Sequence, residues 1–291
     1  DRGIHILVDG AHAPAMLEMW GIPYIGHDPL IMGTLDNKHA FKRDLTCRGI
    51  PTAPFMTWHL SRGEFRPKVN NRSISTFKDH WGPYIVKPVS GRASLHVHVV
   101  DEEADLADAV AEVFHATENH VLIEAYLPGA EYCIAVSGPV VSRERRLYRR
   151  SEPFVFSTVE RVFEEEERIV TSMDIKPITT DRIRLVDRIE NAQEVTRIEE
   201  LARIVHLDFN LEALIRLDLR TDADGTICVL EANPKPDLKI PSGKQTSIVC
   251  VGLAEQGMDY DDLIFGQLAH RLDFLLSHRR PAVPRICALL N

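Results

Sequence analysis

The feature that most constrains this chain is a pair of alternating runs on either side of an acidic turn. The runs are Ile215-Arg216-Leu217-Asp218-Leu219-Arg220 and Ile227-Cys228-Val229-Leu230-Glu231-Ala232-Asn233-Pro234, joined by Thr221-Asp222-Ala223-Asp224-Gly225-Thr226. Alternation flanking an Asp-rich turn that ends in Gly predicts a β-hairpin. Ile215, Leu217 and Leu219 then share one face, and Arg216, Asp218 and Arg220 the other. Pairing Thr221 with Thr226 sets Arg216 opposite Glu231 and Asp218 on the diagonal. Glu231 and Asn233, two residues apart, project to the same polar face.

Two carboxylates and an amide oxygen are hard ligands, suited to Mg²⁺ on a phosphate rather than to zinc. An arginine beside them can steady an anion that develops there. An ordinary amphipathic hairpin with a solvated charged face gives the same pattern, so the rest of the chain has to decide.

A chain of 291 residues has room for two or three lobes. Its net charge of -9 argues against a nucleic-acid partner, since neutralising phosphates needs a basic surface. No apolar run approaches the roughly 20 residues of a membrane span, so no membrane partner is expected. No signal peptide is visible, although the chain opens on Asp1 and a preceding piece is an open expectation. Cys47, Cys133, Cys228, Cys250 and Cys287 are scattered without metal or redox spacing, which suits reduced thiols and a cytoplasmic location. His96 and His98 are expected on one strand face, in a structural role.

In chain order, residues 1–30 read as a strand (Ile4 to Val8), a short helix (Ala15 to Trp20) and a strand (Ile22 to Ile25). Asp36 or Asn37 caps a helix that closes at Gly49. Lys38 and Lys42 lie one turn apart on it, a spacing that usually marks only a solvated face. A strand ends in Tyr84-Ile85-Val86-Lys87-Pro88, and a small loop, Val89 to Ser94, leads into the alternating Leu95 to Val100. Such a loop beside a lysine can wrap backbone N–H groups over phosphates, although small loops join strands everywhere. A helix from Asp105 to Thr117 and a strand from Val121 to Leu127 follow, then a strand to Val136. Residues 142–170 carry arginine and glutamate runs. Arg184 to Val205, Ile248 to Gln256 and Tyr260 to Leu276 read as helices.

This order of parts resembles the ATP-grasp superfamily, nearest to the D-alanine–D-alanine ligase-like carboxylate–amine ligases. The parts are a lysine-bearing helix, Gly49-Ile50-Pro51-Thr52, and Val86-Lys87-Pro88 with its small loop. After them come Ile123-Glu124-Ala125-Tyr126-Leu127-Pro128-Gly129-Ala130-Glu131 and the Arg216–Asn233 hairpin. The resemblance runs from about Leu17 to Leu263. It implies an α+β (α/β) ATP-grasp fold divided into the remainder of an N-terminal α/β lobe (1–35), a central lobe (36–124) and a C-terminal metal lobe (125–291).

The resemblance also implies roles. Lys42 and Lys87 contact the phosphates of ATP, and Ser90, Gly91 and Ser94 belong to the loop that closes over them. Glu124, Ala125, Tyr126 and Leu127 line the adenine pocket, and Glu131 reaches the ribose. Asp218, Glu231 and Asn233 hold Mg²⁺, for which Mn²⁺ can substitute. Arg216 is catalytic, stabilising the transferred phosphoryl group. The implied reaction forms an amide or peptide bond through an acyl phosphate, from a small-molecule acid and amine such as amino acids. Carboxylation, phosphoryl transfer and a non-catalytic nucleotide-binding regulatory role are the rival readings, and a homodimer is left open.

The chain departs from the family pattern in three places. Its N-terminal lobe is entered late. Pro234-Lys235-Pro236-Asp237-Leu238 replaces a Pro-Gly-Met-Thr loop, which makes Lys235 and Lys239 candidate substrate contacts. A Lys-Tyr pair near the acidic run is missing, with Arg149, Arg150 or Arg161 as stand-ins.

Overall fold

The computed structural model describes residues 10–66, 77, 82–91, 94–165, 167–169, 178–278 and 283–290. The strand expected at Ile4 to Val8 lies outside them. The described chain opens with α1 (His12–Trp20), α2 (Pro29–Asp36) and α3 (Lys38–Cys47). Next come β1 (Phe55–Trp58), β2 (Tyr84–Pro88), β3 (His98–Val100), α4 (Leu106–Thr117) and β4 (Val121–Ala125). Then follow β5 (Glu131–Ser137), β6 (Val140–Arg143), β7 (Arg146–Arg149), β8 (Phe154–Val155), β9 (Val159–Arg161) and β10 (Ile183–Leu185). The remainder is α5 (Ala192–Asp208), β11 (Ile215–Thr221), β12 (Ile227–Asn233), α6 (Tyr260–His278) and α7 (Val283–Leu290). Among the described residues no helix is long and apolar enough to cross a membrane.

The smaller lobe is an antiparallel sheet in the order β1-β4-β2-β3. Val110 and Val113 of α4 pack against Trp58, Tyr84, Val86 and Ile123 on one face. In the β2–β4 register Val86 pairs with Ile123, and Ile85 pairs with Glu124. Period-two alternation therefore turns Ile85, Lys87 and Glu124 to the opposite face. Every residue of both strands is buried, so that face is covered as well.

The larger lobe is a six-stranded sheet, β10-β9-β5-β11-β12, with β8 also paired to β5. Val195, Ile198, Ala202 and Val205 of α5 form a core with Ile134, Val136, Ile215, Leu217 and Leu219. Phe41, Leu45 and Ile50 belong to that same core, so α3 packs with the larger lobe although it falls inside the 36–124 segment. Phe41 and Leu45 are one turn apart and fully buried, each worth about 1.5–3 kcal/mol of burial. The Phe41 ring meets that of Phe209 at 5.1 Å. Asn37 caps α3 by accepting from Ala40 N at 2.9 Å.

Several local expectations are corrected. Ile22 to Ile25 forms no strand, and Pro23 there lacks a ladder donor. Arg184 lies in β10, and the helix expected from it starts at Ala192. Ile248 to Gln256 holds only two single turns of 3-10 helix, with Gly252 between them at φ 78°. The strand expected from Leu95 begins at His98, because Ser94 and His96 take left-handed conformations at φ 55° and 57°. His96 and His98 therefore do not share a strand face.

Candidate active site

The two sheets turn their charged faces toward one open cleft. From the smaller lobe it is lined by Ile85, Lys87, Glu124 and Ala125, and from the linker by Tyr126 and Leu127. Glu131, Arg161, Asp218, Arg220, Leu230 and Glu231 line it from the larger lobe. Lys38, Gly91, Ser94, Leu95, Val97 and Ile169 complete the rim.

The hairpin forms with a register different from the one expected. Thr221 pairs with Ile227 rather than Thr226, and a β-bulge falls between Asp218 and Leu219. The turn explains the first change: Asp222 accepts from Asp224 N at 2.9 Å and Thr226 N at 2.8 Å, drawing Thr226 into the turn. The bulge inserts Leu230 as an extra residue, which sets Asp218 directly opposite Glu231 and Arg216 opposite Asn233. The polar group is thus the expected one, with a tighter pairing of its two acids.

Asp218 is held firmly. Arg216 donates to both its oxygens, at 2.7 and 2.8 Å, and the Cys133 thiol donates at 3.3 Å. Arg161 stands 3.8 Å away, with Nε 3.2 Å from Glu131 and also donating to Cys133 Sγ at 3.2 Å. Burial alone would raise the Asp218 pKa, but the charges of Arg216 and Arg161 hold it below its ordinary value. Burial raises the Glu131 pKa, and Arg161 and Arg220 offset this only in part. Burial pushes the Cys133 thiol up to about 12 and keeps it neutral.

The smaller lobe supplies lysines. Lys87 Nζ is 3.0 Å from Glu124 Oε1, and Lys42 Nζ is 3.7 Å from the same oxygen. Burial would raise the pKa of Glu124, yet the two lysines hold it low. Burial opposes the charge on Lys87, but Glu124 and Glu231 carry its pKa above the ordinary value. Lys38 donates to Gly91 O at 2.9 Å and stands 3.5 Å from Glu231.

Lys87, Gly91, Ser94, Glu124, Ala125, Tyr126, Leu127, Glu131, Asp218 and Glu231 meet in the cleft. Lys42 does not line it: the side chain is fully buried and donates to Thr52 Oγ1 at 2.6 Å. Lys38, one turn earlier, occupies the position at the cleft. Arg216 and Asn233 lie beside the cleft, outside its lining. Asn233 accepts from Lys235 N at 3.2 Å. Ser90 is exposed, and Arg92 and Ala93 of its loop lie outside the described residues. Lys235 and Lys239 do not line the cleft, and Lys239 donates to Gln245 at 2.8 Å. Of the three stand-ins, Arg161 lines the cleft, while Arg149 is exposed and pairs with Asp273.

Arg220 had only its place on the polar strand face as a signal. It donates to Tyr126 Oη at 3.0 Å and to Gly129 O at 3.1 Å. A Cβ on Gly129 would fall 2.0 Å from Thr221 Oγ1, so the linker needs glycine there.

Two antiparallel sheets closing over one charged cleft are the arrangement of the ATP-grasp fold. A family model described as D-ala D-ala ligase C-terminus matches residues 45–268, well over half of the chain, and the chain belongs to that family. It is an ATP-dependent carboxylate–amine ligase. Over 271 residues it is 27% identical to the uncharacterised protein y4sG of Sinorhizobium fredii, covering 90% of this chain and 71% of that one. It is 24% identical over 250 residues to a D-alanine–D-alanine ligase of Synechococcus, covering 86% and 68%. Among solved structures, the D-alanine–D-alanine ligase of Coxiella burnetii superimposes with a TM-score of 0.68 at 17% identity, covering 97% of this chain and 70% of that one. The VanG D-Ala:D-Ser ligase of Enterococcus faecalis gives 0.67 at 18%, covering 90% and 69%.

Proposed function

We propose that the chain joins two small amino-acid-like substrates, and that the cleft between its sheets binds the ATP that drives the reaction. The observation that carries this reading is the facing pair Asp218 and Glu231, set in one cleft with Lys38 and Lys87. Acids and lysines arranged this way match a magnesium-bound triphosphate, and phosphoryl transfer asks the protein for positioning and charge neutralisation above all.

The donor set suits Mg²⁺. Among the described residues no three His, Cys, Asp or Glu side chains converge on one point. A cation here would rest on Glu231, Asn233 and Asp218 together with phosphate oxygens and water, which is how Mg²⁺ is commonly held. Arg216 and Cys133 use three of the four acceptor sites on Asp218 and leave one on Oδ2. When bound, the metal would neutralise charge on the terminal phosphates.

In the first step a carboxylate oxygen attacks the γ-phosphorus, a P–O bond breaks, and ADP leaves with an acyl phosphate formed. An amine nitrogen then attacks the acyl carbon, phosphate departs, and the nitrogen loses a proton. Lys38 and Lys87 bind and orient the triphosphate. Arg216, anchored on Asp218 beside Asn233, presents positive charge to the migrating phosphoryl group. Enclosure between the lobes keeps water from the acyl phosphate.

The substrates are small amino acids or related acids and amines, in keeping with the D-Ala and D-Ser ligases the chain resembles. The loop after Asn233 carries Lys235 and Lys239, and we propose that it selects a pair other than two D-alanines. The test is ADP and phosphate release, with single amino acids and with pairs. Release that requires both an acid and an amine supports ligation. Equal release without the amine sinks it, and efficient D-alanyl-D-alanine formation sinks the proposal on the loop.

A further inference from the structure

Lys42 is the buried charge that the cleft itself does not use. It sits on α3, fully enclosed, where helical spacing from Lys38 suggested a solvated face. Its ammonium donates to Thr52 Oγ1 at 2.6 Å, and Thr52 donates in turn to Val229 O at 2.7 Å. These bonds anchor Lys42 to β12 of the larger lobe. The same ammonium stands 3.7 Å from Glu124 on β4 of the smaller lobe and 5.5 Å from the centre of the Phe55 ring on β1.

Glu124 is the only carboxylate within ion-pair distance of Lys42 among the described residues, and it is shared. Lys87 reaches Oε1 of Glu124 at 3.0 Å from the cleft side, and Lys42 reaches the same oxygen at 3.7 Å from behind. An anion in the cleft competes with this carboxylate for the charge and the three donors of Lys87. A carboxylate left alone at this depth would be costly, since a buried charge without its partner is uncompensated.

We infer that Lys42 is the standby counter-ion of Glu124: it stays paired when Lys87 turns to the phosphates of ATP, and so lowers the cost of binding. This inference rests on the reading of the cleft as the ATP site. Lys42 never touches the nucleotide in this scheme and acts as a positioning residue. One carboxylate with two lysines lets one ammonium move while the buried charge remains balanced. A single lysine would have to divide its charge and donors between the carboxylate and the phosphate.

A double-mutant cycle on the full chain tests this, with Kd for ATP measured by calorimetry in the presence of magnesium. Lys42→Met is expected to raise Kd at least about tenfold, which corresponds to about 1.4 kcal/mol. It should leave kcat at saturating ATP within about threefold, since the variant affects charge balance on binding. In a Glu124→Gln background no carboxylate remains to be orphaned, so adding Lys42→Met should change Kd by less than about threefold. A purely structural role for Lys42 would give the same loss in both backgrounds and overturns the inference. So does an unchanged Kd in Lys42→Met. If that variant fails to fold, Lys42→Arg decides: it retains the counter-ion, and a tenfold loss of affinity in a folded Lys42→Arg protein counts against the idea. A wild-type chain that binds no ATP would overturn the functional reading itself, a result separate from failure of the cycle.

Discussion

The two walls of the cleft solve one problem, how to keep charge buried beside a reaction site, in opposite ways. The larger lobe uses arginines. Arg216 grips Asp218 through two hydrogen bonds, and Arg161 spans Glu131, Cys133 and the approach to Asp218. A planar guanidinium with several fixed donors locks its partner in orientation as well as in charge. The smaller lobe uses lysines. Lys87 and Lys42 share one oxygen of Glu124, and Lys38 rests against Gly91 and Glu231. An ammonium on a flexible stem is a point charge that can be re-aimed. The contrast teaches a division of labour: the arginine wall is preorganised and the lysine wall gives way to the substrate.

The arginine wall should break most severely. Asp218→Asn removes the counter-charge of a buried arginine and is expected to destabilise the fold by about 3–5 kcal/mol, besides abolishing turnover. Denaturant unfolding and phosphate release, measured on one sample, check both. Glu231 is half-buried, and its one ion pair among the described residues is with Lys38 at 3.5 Å. Glu231→Ala should therefore lose turnover with near-normal stability. If Asp218→Asn is as stable as Glu231→Ala, the locked wall has been misjudged.

Acid should attack the larger lobe from behind. Burial depresses His27 to about 4 and His206 to about 3, and it also lowers His270. Among the described residues, the buried Nε2 atoms of His27 and His206 and both ring nitrogens of His270 have no aligned hydrogen-bond partner. A His with a depressed folded pKa stabilises the protein fully above the unfolded value, about 6.5. That stability is lost as pH falls through the window from about 6.5 toward 4, because the unfolded chain takes the proton first. Between pH 7 and 5, protonation at His27 and at His206 should each cost about 2 kcal/mol of stability. Urea midpoints across that range measure the loss, and His27→Gln should flatten the profile. An equally steep profile in the variant would remove His27 from the account.

The lysine wall should respond in affinity. Lys87→Met is expected to weaken ATP binding by about 1.5–3 kcal/mol, the worth of a hydrogen bond to a charged group. Lys38→Met should weaken it by about 0.5–1.5 kcal/mol, since Lys38 is also committed to Gly91 O. Calorimetric titration of both variants sharpens the contrast, and a Lys38 effect above that of Lys87 would reverse their roles. The smallest effect is expected from Lys239→Ala. That side chain is exposed and bonded to Gln245, so any change should fall on the KM of an amino-acid substrate and leave the KM for ATP within about twofold.

Much of this was legible in the sequence by itself. Strict alternation marked the Arg216–Asn233 segment as a hairpin and put Arg216, Asp218 and Arg220 on one face, whereas the bulge at Leu230 brings Glu231 onto that face. The Val86-Lys87-Pro88 strand and the Glu124–Glu131 stretch were equally readable, because a strand's periodicity survives whatever it packs against. Tertiary structure decided the rest. The bulge at Leu230, which sets Asp218 opposite Glu231, depends on a turn that absorbs Thr226. Lys38 and Lys42 lie one turn apart, and helical spacing carries no information about which of them meets the cleft. Their fates diverged because Phe41 and Leu45 dock α3 onto the core of the larger lobe, carrying Lys42 beneath β4 and leaving Lys38 at the rim. Which charge is buried and which is free depends on what the opposite element covers, and a one-dimensional pattern does not contain it.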